Sequence, residues 1–265
     1  MELTTEALTP LSDELAELEP LDILRVVHRA WGRRAAILTG MQLAGTALCH
    51  MADRAGLDFD VVFVDTGVLH VETLATRDRL VETHPRLRVV TLRPAQTFAE
   101  QTRERGVLYL SKEGQEQCCE LRKSAPLAEL RGRYDVLLGA LRRDEGGRRE
   151  KVAAIEIDPA LGGLRVHPLV HVTMADLERY VREHTDVVVN PLHAMGYRTI
   201  GCFPCTTPVR PDENERAGRW RHLADVTYCG INPSDGVSAR RAVTVSSAFE
   251  EFKAALAAAR NPLLL

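Results

Sequence analysis

Four of the six cysteines in the chain occur in two pairs, and paired thiolates can bind metals or exchange electrons. Cys118 and Cys119 are adjacent in QEQCCELRK, and Cys202 and Cys205 form a C-x-x-C motif about 80 residues later. A C-x-x-C motif alone fits half of a zinc site, a redox dithiol or two ligands of an iron–sulfur cluster. Adjacent cysteines are awkward ligands for one zinc ion, but each can bind a different iron of a cube. The spacing by itself therefore leaves zinc and a cluster open.

The basic residues near these cysteines predict an anion site. Arg216 and Arg219 are three positions apart beside the C-x-x-C motif and can face one anion together. Lys123 follows the adjacent cysteines by four residues, and Arg142 and Arg143 are further candidates. Each would supply positive charge to a reaction on an anionic group.

The elements that must position these residues alternate between strands and helices. Four short apolar runs predict buried strands: AAILTG (35–40), FDVVFVDTG (59–67), LRVVTLRP (87–94) and YDVLLGALRRDE (134–145). The stretches 42–56, 71–83 and 96–106 between them are typical of helices, and Cys49 in the first is predicted to be a core residue. This alternation indicates a doubly wound, mostly parallel α/β sheet.

Ligands of such sheets bind at the carboxyl ends of the strands. These ends carry small or charged residues, as a nucleotide pocket needs: Thr39, Gly40, Asp65, Thr66, Gly67 and the stretch from Gly139 to Asp144. Further helices are predicted over 11–31 with Ser12 as cap, over 172–184 with Thr173 as cap, and over 246–260. Regular patterning fades after about residue 191.

Four segments follow from this pattern. They are an N-terminal helical segment (1–32), a nucleotide-binding α/β domain (33–190), a loop-rich arm with the C-x-x-C motif and the arginine pair (191–236), and a C-terminal helical tail (237–265).

Composition narrows the class of protein. A net charge of -3 without a basic stripe argues against nucleic-acid binding. The first twenty residues lack the basic start and apolar core of a secretory signal, and no apolar run is long enough to cross a bilayer. We expect a soluble cytoplasmic protein without a membrane partner, and in that reducing compartment cysteines more often serve as metal ligands or catalysts than as disulfides. Whether the chain forms a homo-oligomer stays open.

The order of several motifs adds a family resemblance. QCCELRKSAPL, GALRRDE, NPLHAMGYRTIGCFPCTTPV, ERAGRW and a late CGI follow one another over roughly residues 35 to 232. In this the chain resembles the assimilatory adenylyl-sulfate (APS) reductases, the cluster-containing branch of the phosphoadenylyl-sulfate (PAPS) reductase family. The resemblance implies a sheet of the adenine nucleotide alpha-hydrolase-like (PP-loop) type.

The resemblance also implies the cofactor and the reaction. The four paired cysteines of this chain, Cys118, Cys119, Cys202 and Cys205, would ligate a [4Fe-4S] cluster. Cys229 would attack the sulfur of APS. AMP would depart as the leaving group, and an S-sulfocysteine would remain on the enzyme. A thioredoxin-type dithiol would then release sulfite from it. Arg216, Arg219 and Lys123 would contact the substrate, and the cluster cysteines would favour APS over PAPS.

The chain departs from the family pattern at several positions. Ala44 replaces an acidic residue of the adenylate loop, and Val226, Tyr228 and Asn232 replace the Lys, Glu and His around the catalytic cysteine. Two alternatives therefore stay open besides an APS reductase. One is a paralogue that uses the cluster and Cys229 to pass sulfur or a sulfuryl group to another acceptor. The other is a non-enzymatic cluster or zinc protein.

Overall fold

A computed structural model describes residues 2–223 and 242–261, which form an α/β fold around a six-stranded sheet. The strand order is β4-β3-β2-β5-β7-β6, in which only the β6–β7 pair is antiparallel. The strands are β2 (Ala35–Leu38), β3 (Asp60–Val64), β4 (Arg88–Leu92), β5 (Val136–Leu138), β6 (Ile155–Asp158) and β7 (Gly163–Val166). The predicted mostly parallel α/β class is confirmed, and the four predicted strands lie inside the predicted ranges.

Apart from Asp60 at the start of β3, the residues of β2, β3 and β5 are apolar because both faces of the sheet are covered. Ile37, Val61 and Phe63 point to one face and belong to the larger core cluster, whereas Leu38 and Val62 point to the other face and belong to a smaller one. Strands buried on both sides have continuous rather than alternating hydrophobicity. This is why the strands were recognisable as short apolar runs.

The β6–β7 hairpin was not predicted from the sequence. Both strands are only four residues long, and they carry the charged residues Asp158 and Arg165 inside the protein. The two side chains form a buried ion pair, with each side chain 2% exposed. A buried charge needs such a partner, and the sequence pattern does not reveal which partner it has.

The helices cover both faces of the sheet. They are α1 (Thr5–Ala16), α2 (Pro20–Trp31), α3 (Leu43–Arg54), α4 (Val71–Thr83), α5 (Phe98–Arg105), α6 (Lys112–Cys119), α7 (Ala125–Ala128), α8 (Met174–Glu183) and α9 (Ala248–Arg260). The predicted helices near 42–56, 71–83, 96–106, 172–184 and 246–260 are confirmed, as is the cap at Thr173.

The single predicted helix over 11–31 is wrong. Two helices occupy this region, because the chain turns after Ala16 and restarts at Pro20, a residue favoured at the first position of a helix. Thr4 caps the first helix. Ser12 is buried and its hydroxyl accepts a hydrogen bond from the Ala154 backbone N–H at 2.8 Å.

Both ends of the described chain pack together. Strand β1 (Glu2–Thr4) pairs antiparallel with β8 (Ala242–Thr244) in a separate two-stranded sheet. Helix α2 packs along α9, where the rings of Trp31 and Phe252 are 5.0 Å apart. The N-terminal and C-terminal segments therefore form one helical layer on the α/β domain. Within the described residues, every helix is too short or too polar to cross a membrane.

The adjacent cysteines lie where a helix changes its winding. Helix α6 ends at Cys119, and the chain continues as a π-helical turn (Glu120–Ser124) into α7. Such turns are rare and often mark functional sites. The arm from residue 191 to 223 contains only short 3-10 turns, Pro191–Met195 and Phe203–Cys205, as its fading pattern predicted.

Candidate active site

A cavity of about 170 Å³ lies at the carboxyl ends of β2, β3 and β5. Thr39 and Gly40 follow β2, Thr66 follows β3, and Gly139 and Arg142 follow β5 on its wall. The structure thus brings together most of the residues predicted from the strand ends. The arm from residue 193 to 219 closes the other side of the cavity.

Three predicted binding residues are not among those that line this cavity. The Asp65 carboxylate accepts hydrogen bonds from the Gly67 backbone and from Arg93, so it fixes the turn after β3. Gly67 itself has a φ of 74° and faces Arg122. Arg143 points to the Val152 carbonyl and to the ring of His171. In this structure the Asp65 and Arg143 side chains make these local contacts and do not face the cavity.

Four cations line the cavity near the arm: Lys123, Arg198, Arg216 and Arg219. Arg219 is only 8% exposed, and its guanidinium stacks on the Trp220 ring at 4.3 Å. Its Nε and Nη2 atoms are buried and have no hydrogen-bond partner within residues 2–223 and 242–261. Buried N–H donors without partners are costly, so this guanidinium is well suited to bind an anion.

The backbone around Arg219 is shaped for this placement. A Cβ atom at Gly201 would lie 2.6 Å from the Arg219 Cζ atom, so only glycine leaves room for the guanidinium in this position. Trp220 has a φ of 51°, which is unusual for a bulky residue, and its backbone N–H donates to the Cys205 carbonyl at 2.9 Å. Strained backbone of this kind is concentrated at functional sites.

The four paired cysteines surround a second, smaller cavity next to the first. Cys118, Cys119, Cys202 and Cys205 all line it, together with Trp220 and Tyr109. Lys123 and Cys202 line both cavities. The fold therefore places the thiol cluster directly beside the cation-lined cavity.

Hydrogen-bond donors approach three of the sulfur atoms. Gln115 donates from Nε2 to the Cys119 Sγ at 3.0 Å, and Gln101 donates to the Cys118 Sγ at 3.6 Å. The Thr66 hydroxyl is 3.3 Å from the Cys202 Sγ. Such contacts stabilise sulfur ligands and adjust the electronic properties of the metal that they hold.

The C-x-x-C motif lacks the features of a redox dithiol. Burial raises the pKa of the Cys205 thiol to about 12, and the neighbouring Cys202 adds to this effect. Burial also raises the pKa of Cys118. Redox-active C-x-x-C motifs have lowered pKa values, so Cys205 lacks the activation that an exchanging dithiol needs.

Among the described residues, no group of three or more His, Cys, Asp or Glu side chains is placed to hold one ion. The four paired cysteines line one cavity, and cysteine thiolates are ligands both of zinc and of iron–sulfur clusters. Cys49 is fully buried in the main core, as predicted. Cys229, the predicted nucleophile, lies outside the described residues.

A histidine joins the arm to the loop after β2. The His193 Nε2 atom accepts a hydrogen bond from the Leu43 backbone N–H at 3.1 Å, and Nδ1 lies 2.9 Å from the Tyr197 carbonyl. Only a neutral ring with its proton on Nδ1 satisfies both contacts. Burial lowers the pKa of His193, which is consistent with this neutral form.

We expect this contact to make stability depend on pH. The folded-state pKa of His193 lies below the ordinary value of about 6.5, so its contribution is complete above that pH. It is lost as the pH falls through 6.5 toward the lowered pKa, by up to about 1.4 kcal/mol per pH unit. Urea unfolding at pH 7.5 and 5.5 should show a larger loss for the natural protein than for His193→Gln, which cannot titrate. Parallel losses in both proteins would contradict this.

Several site residues were not singled out from the sequence. Gly201 and His193 stand in the quoted NPLHAMGYRTIGCFPC motif, and Glu215 begins the quoted ERAGRW, so the motifs held the signal. Gln101 had no signal, because its contact with the Cys118 sulfur depends on how α5 packs on α6. Gln115 lies four residues before Cys119 in α6, so helical spacing could have indicated its contact.

A mostly parallel sheet with a cation-lined cavity at its strand ends, beside clustered thiols, is the arrangement expected of an α/β protein that binds an anionic ligand. The model of the phosphoadenosine phosphosulfate reductase domain matches residues 34–208. The chain belongs to that family.

Relatives and solved structures agree with this assignment. The chain is 39% identical to an adenosine 5'-phosphosulfate reductase of Streptomyces coelicolor, over 87% of this chain and 97% of the relative. It is 34% identical to adenosine 5'-phosphosulfate reductase 1 of Bacillus subtilis, over 80% of this chain and 90% of the relative. One similar solved structure is the crystal structure of a phosphoadenylyl-sulfate reductase from Candida auris in a phosphate complex. The match includes 77% of this chain and 98% of the Candida auris chain. Its TM-score is 0.63 at 21% identity, which supports the fold.

Proposed function

We propose that this protein reduces adenosine 5'-phosphosulfate to sulfite and AMP. The observation that carries the proposal is the wall that the two cavities share. Lys123 and Cys202 line both the cavity with the four thiols and the cavity with the cations. The curated relatives with the name of this activity match most of the chain. We place the reaction in the cytoplasm, where thiols are kept reduced.

Cys229 is the proposed nucleophile. Its thiolate attacks the sulfur of the sulfuryl group, an S–S bond forms, and the S–O bond to AMP breaks with its electron pair leaving on AMP. Leu223, at the end of the described arm, packs beside Trp220 and the cysteine cluster. Cys229 follows it by six residues, a distance of at most about 20 Å along the chain.

A dithiol protein of the thioredoxin type completes the cycle. One of its thiolates attacks the Cys229 sulfur, and sulfite leaves with the electron pair of the S–S bond. Its second thiol then opens the mixed disulfide and returns Cys229 as a thiolate. The two electrons that reduce the sulfuryl group come from this dithiol, which ends as a disulfide.

The cations of the cavity hold the anionic substrate. Arg219 offers two buried N–H groups, and Arg216 and Lys123 add positive charge on the same wall. These groups offset the negative charge that approaches when a thiolate attacks an anionic sulfuryl group. Arg219 requires little reorganisation because Trp220 already fixes its plane.

The residues around the smaller cavity fit a [4Fe-4S] cluster. Cys118, Cys119, Cys202 and Cys205 would hold it, with Gln101 and Gln115 as hydrogen-bond donors to the sulfurs. When bound, the cluster would supply a charged group beside the substrate and would join the arm to helix α6. Lys123 lines both this cavity and the substrate cavity, so its ammonium group would interact electrostatically with the cluster and with the substrate.

The proposed intermediate gives a direct test. Incubation of reduced protein with APS and no dithiol should add one SO3 group, about 80 Da, to Cys229, because the adduct forms before any reductant is needed. Intact-mass measurement and peptide mapping will locate it. Later addition of thioredoxin should release one sulfite per adduct and restore the original mass.

The Cys229→Ser variant is the matched control and should gain no mass. An adduct at another cysteine, or sulfite release by Cys229→Ser, would contradict the covalent route. Absence of both AMP and sulfite in the presence of APS and thioredoxin would remove the proposed function itself.

A further inference from the structure

Two carboxylates line a cavity that otherwise presents cations. Glu145 and Glu215 both belong to its wall, although a phosphosulfate is an anion. The Glu215 side chain is 20% exposed and comes directly before Arg216. A carboxylate at this place weakens the attraction for anions, so it calls for a separate explanation.

The position of Glu215 along the cavity gives the first step. Thr66 and Cys202 mark the end near β3, where the thiol cluster lies. Arg142 and Glu145 follow β5, which is two strands away because β2 lies between them. Two strand spacings are about 10 Å, comparable to the length of a nucleotide. A substrate with its sulfuryl group near Cys202 therefore has its nucleoside near Arg142 and Glu215.

At this end of the cavity, the Arg142 guanidinium interacts with two carboxylates of the protein. Its side chain is 3% exposed, and it bonds Asp144 at 3.0 Å while its Nη2 atom lies 3.8 Å from the Glu215 carboxylate. The Nε atom of Arg142 is buried and has no hydrogen-bond partner in the described part of the chain. Arg149 pairs with Glu145. The charges of Arg142, Arg149 and Arg198 are thus opposed at this end by those of Asp144, Glu145 and Glu215, which leaves little net positive charge for a second phosphate.

We propose that Glu215 is a specificity-determining residue that accepts a hydrogen bond from a ribose hydroxyl and repels a 3'-phosphate on the nucleotide. The inference rests on the proposed function, because it assumes that an adenosine phosphosulfate occupies the cavity. In this proposal, Glu215 discriminates between a substrate with a free 3'-hydroxyl on the ribose and one with a 3'-phosphate.

The surroundings of the carboxylate support this role. Burial raises the pKa of Glu215, Arg142 and Arg198 oppose this effect, and the Glu145 and Asp144 carboxylates add to it. The arginines at this end are therefore already balanced by carboxylates. A hydroxyl adds no charge and donates a hydrogen bond, whereas a phosphate brings about two more negative charges into a partly buried region.

Direct binding separates this inference from the reductase activity. The probes are AMP and adenosine 3',5'-bisphosphate, measured by calorimetry with reduced protein. Glu215→Gln removes the charge and keeps the shape, and it should reduce the preference for AMP over the bisphosphate at least about 10-fold, as expected for loss of one close charge repulsion. Glu215→Asp keeps the charge and should keep most of the preference.

Glu213→Gln is the matched control. Glu213 lies two residues earlier, pairs with Arg221 and does not line the cavity, so the preference should stay unchanged. An unchanged preference in Glu215→Gln would overturn the inference, and so would equal effects of Glu215→Gln and Glu215→Asp. Failure of the natural protein to bind APS or AMP would instead remove the proposed function.

Discussion

Substitution of serine for Cys202 should remove bound iron and reduce APS turnover by at least about 1000-fold, because a cluster ligand and its arm are lost together. The natural protein, prepared without oxygen, should be brown and hold about four irons per chain. The sulfur of Cys202 lies on both cavities and contacts the Thr66 hydroxyl. Cys202 also belongs to the small apolar cluster with Cys205 and Trp220, so its loss loosens the wall that holds Arg219.

Metal analysis, visible absorbance and a sulfite assay on the same preparation will measure these effects. Cys49→Ala is the matched control, because Cys49 is buried in the main core and does not line either cavity. Its iron content should equal that of the natural protein. The cluster assignment would have to be abandoned if the natural protein held one zinc and no iron after anaerobic preparation.

Substitution of alanine for Gly201 should lower kcat/KM for APS about 100-fold, because hydrogen bonds to charged groups contribute about 1.5–3 kcal/mol. The added Cβ atom would lie 2.6 Å from the Cζ and Nη2 atoms of Arg219. The end of a long side chain moves more easily than the backbone, so the guanidinium should shift from its place over Trp220. Thermal unfolding should change little, because Gly201 does not have a positive φ.

A double-mutant cycle distinguishes displacement of Arg219 from general damage. Arg219→Ala alone should lose about as much kcat/KM as Gly201→Ala, since both remove the same donors. Adding Gly201→Ala to Arg219→Ala should then cost almost nothing more. Additive losses in the double variant would show that Gly201 acts by another route, as would normal activity in Gly201→Ala with a folded arm.

The sequence by itself determined the fold class and the chemical inventory of the site. The strands around Ile37 and Val61 are buried on both faces, so their apolar runs are visible without any tertiary information. The carboxyl ends of parallel strands must meet at one edge, which placed Thr39 and Thr66 in one cavity in advance. The C-x-x-C motif and the adjacent cysteines identified the thiols by residue type and spacing alone.

Only the tertiary structure decided which polar residues face the cavity. Asp65 and Arg143 have the same local signals as Thr66 and Arg142, but turn hydrogen bonds direct them elsewhere. The two helices between residues 5 and 31 also escaped prediction, because their apolar spacing continues across the turn before Pro20.

The contacts that prepare the site join residues far apart in the chain. Gln115 contacts Cys119 across one helical turn, but Lys123 and Cys202 line the same cavities only because the arm packs beside the turn that follows α6. The space for Arg219 depends on a missing side chain at Gly201, 18 positions earlier. Such contacts depend on distances between packed elements, and a linear pattern records spacing along the chain and not separation in space. For this reason the sequence named the thiols and the arginines, and the packing of the arm against the sheet made them one site.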